Sequence, residues 1–196
     1  LKFLFCFSMY ISKKALRQQF DPRMYPRETY LLCKLEWNGS QNFWRHWVRN
    51  EDSKCDSRHD SRHDFTPRHA ERYFLEEIFE PRSYNFCNIT WYLSWSPCPG
   101  CCSMIQDFLE DMPNVNIDIR IARLYHRNLA RTSGALRELA SLQGFNYLAS
   151  VSPDYINCWE TFIQPGVNYD FSTVNFQSAI RMNRLQLADI LQVSTL

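Results

Sequence analysis

Two short motifs constrain this chain more than anything else in it. His69-Ala70-Glu71 and Pro97-Cys98-Pro99-Gly100-Cys101 are separated by 28 residues, counted between His69 and Cys98. Each lies at a predicted helix start, and a predicted strand runs between them. Helix N-termini carry unpaired N–H groups and partial positive charge, which favour the thiolate form of cysteine. Cys98 and Cys101 are three residues apart, so one helical turn can present both sulfurs to one ion. Pro97 ends the strand without losing a needed N–H. His69, Cys98 and Cys101 then supply three metal ligands and leave a fourth position open, the arrangement of a catalytic zinc. Glu71, two residues past His69, would diverge from it in a regular helix. It is better placed to stand over the metal than to bind it.

The rest of the chain is consistent with one domain around that unit. Its 196 residues suffice for a full core. Net charge is only +1, so charge alone does not announce a nucleic-acid partner. The eight cysteines, at 6, 33, 55, 87, 98, 101, 102 and 158, suggest no disulfide framework and fit a reducing compartment. The apolar stretch 1–11 is too short to span a bilayer and lacks a cleavage signal. We read residues 1–14 as an N-terminal extension and 15–196 as a single domain, expected in the cytoplasm and/or nucleus and not in a membrane.

Patterning predicts a helix over 12–20 capped by Ser12, a strand over 28–37, an Asn38-Gly39 turn and a strand over 42–48. A polar loop follows, with Ser-Arg-His-Asp repeated at 57–60 and 61–64. Thr66 and Pro67 signal the next helix, running to about Phe79. Then come a strand over 88–95, a helix from about 98, a strand over 115–122, a helix over 129–142, a strand over 145–151, a helix over 153–163 and a tail helix over 172–191. Helices alternating with strands argue an α/β fold: a single five-stranded mixed sheet covered by about six helices.

The two motifs together have the form of zinc deaminases that act on nucleobases. Further stretches carry a more specific likeness. They are Ser94-Trp95-Ser96, Ala122-Arg123-Leu124-Tyr125 and Cys158-Trp159-Glu160-Thr161-Phe162, within a match over about 15–191. On these residues the chain resembles the AID/APOBEC polynucleotide cytidine deaminases. Asp21 to Trp37, Phe43 to Trp47 and His69 to Phe79 look most like the branch that edits apolipoprotein B mRNA.

The resemblance implies a cytidine deaminase-like fold, one zinc ion per chain, and hydrolysis of cytosine to uracil in single-stranded RNA or DNA. It implies Glu71 as the proton carrier between water and N3 of the base. Trp95 and Tyr125 would pack around the base, and Ser96 would read it through its backbone. Arg27 and Thr29 would contact the strand's backbone, and Asn50 its sugar. An RNA-binding protein cofactor, and a monomer or homodimer, are further implications. His126 and Arg127 belong to the loop that sets flanking-base preference in that family, and Arg123, Arg127 and Arg131 are candidate phosphate contacts, a solvated loop charge being the commoner explanation for each. Other readings are a silent strand-binding module that keeps the fold, a free-nucleoside deaminase, and a closed structural zinc site completed by Cys102, His59 or His63.

Overall fold

The computed structural model describes residues 9–38, 40, 42–50, 69–81, 85–142, 145–149 and 152–192. The Ser-Arg-His-Asp repeat, Thr66 and Pro67 lie outside them. The strands are β1 (Tyr30–Trp37), β2 (Trp44–Arg49), β3 (Cys87–Leu93), β4 (Val115–Ile121) and β5 (Phe145–Ala149). The helices are α1 (Lys13–Phe20), α2 (Ala70–Tyr73), α3 (Pro99–Asp111), α4 (Ala130–Ala140), α5 (Ser152–Phe162) and α6 (Gln177–Leu191).

The strands form one open sheet in the order β2-β1-β3-β4-β5. β1 pairs antiparallel with β2 and β3, while β3, β4 and β5 run parallel. Parallel neighbours need crossovers, and α3 and α4 supply them. The α/β class expected from the alternation of elements is the one observed.

Side chains alternate across the sheet, because successive strand residues point to opposite faces. Leu31, Ile89, Trp91, Ile117 and Ile119 pack in one core with Phe74, with Ile105 of α3 and with Leu136 and Leu139 of α4. Leu32 and Tyr92 pack in a second core with Leu16 and Phe20 of α1 and with Tyr155, Trp159 and Phe162 of α5. Ile11, from the stretch read as an extension, is buried in that second core and donates its N–H to Phe162 O at 2.9 Å. Ser12 caps α1 as expected, its Oγ accepting from Ala15 N at 3.1 Å.

Two helices differ from their sequence expectations. The described helix of the first motif begins at Ala70, and His69 is its extended N-cap (φ −68°, ψ 149°). After Tyr73 it widens into a π-helical turn over Phe74–Ile78, closed by Phe79 N donating to Phe74 O at 2.8 Å. The tail helix is broken in two. A 3₁₀ turn over Thr173–Phe176 precedes α6, and Phe176 leaves helical geometry with its ring against Tyr155 at 5.2 Å and Phe171 at 5.5 Å.

Phe74 is fully buried and meets Trp91 edge to face at 5.5 Å. Phe74→Ala is expected to lower unfolding free energy by about 3–5 kcal/mol, the cost of an aromatic cavity. Chemical denaturation measures it. A loss under about 1 kcal/mol, the level of an average substitution, would contradict this packing.

Candidate active site

The topology brings four chain segments to one end of the sheet. β3 and β4 are parallel, so Trp95–Cys98 and Arg123–Tyr125 leave it at the same end. β1 is antiparallel to β3, so its start lies there too: Tyr30 N donates to Ser94 Oγ at 2.8 Å, and Ser94 N to Tyr30 O at 2.9 Å. The end of β2 follows, with Asn50 N donating to Thr29 O at 3.1 Å. Ligands of open α/β sheets bind outside the carboxyl ends of the parallel strands, and that is where the two motifs meet.

Cys98 is the N-cap of α3, with Pro99 at the first helical position and Cys101 in the first turn. His69 Nδ1 lies 3.4 Å from Cys98 Sγ and 3.3 Å from Cys101 Sγ. These three side chains are the group among the described residues that could hold a metal ion, their ligand atoms all within 4.8 Å of one another. One imidazole nitrogen and two sulfurs suit a tetrahedral ion such as zinc, whose usual bond lengths set N···S edges of about 3.6 Å. The donor set and its spacing therefore fit. Cys102 is not in the group. It is buried, its Sγ is directed to Pro97 O at 3.9 Å, and burial pushes its thiol up to about 12.

The metal-free electrostatics follow from these distances. The Cys101 thiol donates to Cys98, which with His69 pulls the Cys98 thiol down to about 3. Sharing with the Cys98 thiolate, and then burial, hold the Cys101 thiol far above its ordinary value. His69 is raised, chiefly by its hydrogen bond to Cys98. Glu71, in the first turn of α2, is 3% exposed. Burial pushes its carboxyl up, opposed by hydrogen bonding and by the nearby imidazole.

A cavity of about 500 Å³ opens over this group. It is lined by Pro26, Arg27, Thr29, Asn50, His69, Glu71, Trp95, Ser96, Cys98, Tyr125 and His126. Of the ligand, proton-carrier, base, strand and sugar contacts expected from the sequence, Cys101 alone is absent from the lining, as the third ligand candidate beside Cys98; the candidate phosphate contacts Arg123, Arg127 and Arg131 do not line it. Trp95 is fixed by donating Nε1–H to Pro26 O at 3.1 Å. Ser96 is buried, donates its N–H to Arg123 O at 2.8 Å and accepts Tyr125 N at Oγ, 2.9 Å. Its N–H is thus engaged, and backbone recognition of a base would fall to its carbonyl. Asn50 Oδ1 accepts Ala70 N at 3.1 Å, tying the end of β2 to the first motif.

Pro26 joins the lining with no signal in the sequence, and His126 joins it from the loop after Tyr125. His126 adopts φ +40°, a left-handed conformation uncommon outside glycine, with its ring edge-on to Tyr125 at 4.2 Å. Arg127 and Arg131 are exposed. Arg123 differs from the phosphate contact suggested by its charge: it is 2% exposed, with its guanidinium bonded to backbone carbonyls. The six cysteines among the described residues are all unbridged. No helix among those residues is long and apolar enough to cross a membrane.

Comparison with known proteins places this geometry in context. Residues 19–165 match the family described as APOBEC4-like AID/APOBEC-deaminase. The chain is 37% identical over 147 residues to the C->U-editing enzyme APOBEC-1 of Mus musculus, covering 74% of this chain and 57% of that protein. It is 36% identical to the enzyme of the same name from Monodelphis domestica, over 74% and 55%. It is 30% identical over 125 residues to the DNA dC->dU-editing enzyme APOBEC-3Ca of Felis catus, over 58% and 65%. The match thus spans little more than half the length of the APOBEC-1 relatives.

Proposed function

The chain belongs to the AID/APOBEC deaminase family, and on that premise we propose that it hydrolyses cytosine to uracil in single-stranded RNA or DNA with the help of zinc. One observation carries the proposal. A His/Cys/Cys group with metal-ligand spacing and a buried carboxylate share one cavity whose walls include Trp95 and Tyr125.

His69, Cys98 and Cys101 would hold the zinc. A bound zinc supplies the Lewis acidity that makes water a nucleophile source near neutral pH. Glu71 accepts a proton from water as it attacks C4 and delivers it to N3, then assists departure of ammonia. Trp95 and Tyr125 present aromatic faces to a splayed base, a contact that does not depend on duplex geometry. Asn50 and Thr29 border the opening, where sugar and phosphate would pass. Arg27, exposed at the rim, offers charge to the strand. An RNA-binding protein partner and residence in cytoplasm or nucleus accompany this reading.

The test is direct. Zinc-loaded protein is incubated with matched single-stranded RNA and DNA oligonucleotides carrying one cytosine, with free cytidine as competitor. Uracil should appear in at least one polymer, and free cytidine should compete poorly. Absence of conversion in both polymers would overturn the proposal. Efficient competition by the nucleoside would reassign the substrate.

A further inference from the structure

Arg123 is the only buried arginine among the described residues. It follows β4 by two positions, and its guanidinium crosses to the last turn of α1 and the residue that caps it. Nη1 donates to Asp21 O at 2.6 Å, and Nη2 donates to Gln19 O. Cζ stands 4.7 Å from the Trp95 ring centroid. Its Nε, also buried, has no partner among the described residues. The Asp21 carboxylate is bonded to Arg23 at 2.6 Å and acts on Arg123 only through space, and Arg123 forms no ion pair among the described residues. Burial pulls its pKa down to about 10.

A buried cation without a carboxylate partner is unfavourable for stability. What this one contributes is geometric. Trp95 is a shared wall between the cavity over the metal group and a second cavity of about 480 Å³. Of these two cavities Arg123 lines only the second, and its guanidinium lies over the indole ring. The same indole is held at its edge by Pro26 O. Pro26 belongs to the segment that carries Arg27 and Thr29. One side chain therefore connects three walls: the segment over 19–29, Trp95, and the residues leading to Tyr125. A planar fork can meet two carbonyls and lie on a ring at once, which a lysine ammonium cannot do.

We propose that Arg123 is a positioning residue for the base pocket: it holds the Trp95 ring and the 19–29 segment in register with His69, Cys98 and Cys101, and makes no phosphate contact. This rests on the deaminase reading of the cavity. Displacing a reacting group by an ångström lowers rates by up to about a hundredfold, so small movements of this wall are sufficient.

Arg123→Lys and Arg123→Met are compared with wild type as zinc-loaded full chains, with rates expressed per bound zinc. Both should lower kcat by about tenfold to a hundredfold and change KM less. The slope of log affinity against log salt for an oligonucleotide should not move. In Arg123→Met a lost phosphate contact would reduce that slope by about one, and this result would overturn the proposal. So would unchanged kcat per zinc with only a lower Tm, the outcome of a purely structural role. Should Arg123→Met fail to fold, Arg123→Lys carries the comparison, because it keeps the charge and loses the fork. If wild type itself converts no cytosine, the deaminase reading falls separately. Oligonucleotide affinity then decides: Arg123→Lys should weaken it several-fold at constant salt slope, and unchanged affinity would overturn the positioning role.

Discussion

Glu71→Gln is expected to lower deamination by about 10²–10⁴-fold, the range for loss of a general acid–base group, while zinc content and oligonucleotide affinity stay at wild-type levels. Among the described residues lining the cavity Glu71 is the only carboxylate. The titratable groups His69 and Cys98 are committed to the metal group, and His126 belongs to the outer loop. Hydrolysis at C4 needs one group that takes a proton from water and returns it to the base. A carboxyl raised by burial is suited to both directions, because its pKa moves towards the working pH. Glutamine keeps the shape and can still hydrogen-bond, but cannot carry the proton. Wild-type rates in the variant would sink the role. Equal strand binding without conversion by either protein would instead favour a silent binding module.

The same burial gives that variant a signature in stability. Glu71 has a folded-state pKa above its unfolded value. Relative to a neutral side chain, it destabilises the metal-free fold progressively as pH rises from the ordinary carboxylate range through the raised value. Below that range both states are protonated and the difference vanishes. Metal-free Glu71→Gln should therefore be at least as stable as wild type at pH 7 and indistinguishable from it in acid. The Glu71 carboxylate is held at a cost in stability, as is the Arg123 guanidinium over Trp95.

Which parts of this site could be read from sequence depends on how local their causes are. Cys98 and Cys101 share a single helical turn, and the prolines beside them mark its start, so their joint presentation follows from spacing alone. His69 is farther away, yet its motif also lies at a helix start. The position of that start was less legible: Thr66 and Pro67 signal a cap upstream, but His69 itself is non-helical, which turns its ring to the two sulfurs. The π-helical turn after it has no compositional signal. Trp95 and Tyr125 entered through family resemblance, because strand aromatics otherwise read as core. The burial of Arg123 matches neither a phosphate contact nor a solvated loop charge, for a physical reason. Sequence reports its charge but not that Gln19 and Asp21, about a hundred residues earlier, offer it two carbonyls. Asn50 holding Ala70 N–H is a contact of the same nonlocal kind.

Zinc binding should release about one to two protons and strengthen with pH, since thiolate and neutral imidazole are the binding forms. The count follows from the metal-free site. Cys98 is already a thiolate at neutral pH. Cys101 retains its proton because it donates to Cys98, and His69 is biased towards the protonated form by the same sulfur. Uptake must displace the Cys101 proton and whatever fraction His69 holds. The Cys101 proton must leave at any pH below its raised value, so affinity falls throughout as pH falls, and it falls more steeply below the raised His69 range, where the imidazole proton must leave too. Calorimetric titration of apo-protein in buffers of differing ionisation enthalpy measures the release directly. Cys98→Ala should purify without metal, because it removes a ligand together with the charge that organises the other two. Binding enthalpies identical in all buffers would mean that no proton leaves, and this shared-proton arrangement would be wrong. Zinc retained at full stoichiometry by Cys98→Ala would remove Cys98 from the ligand set.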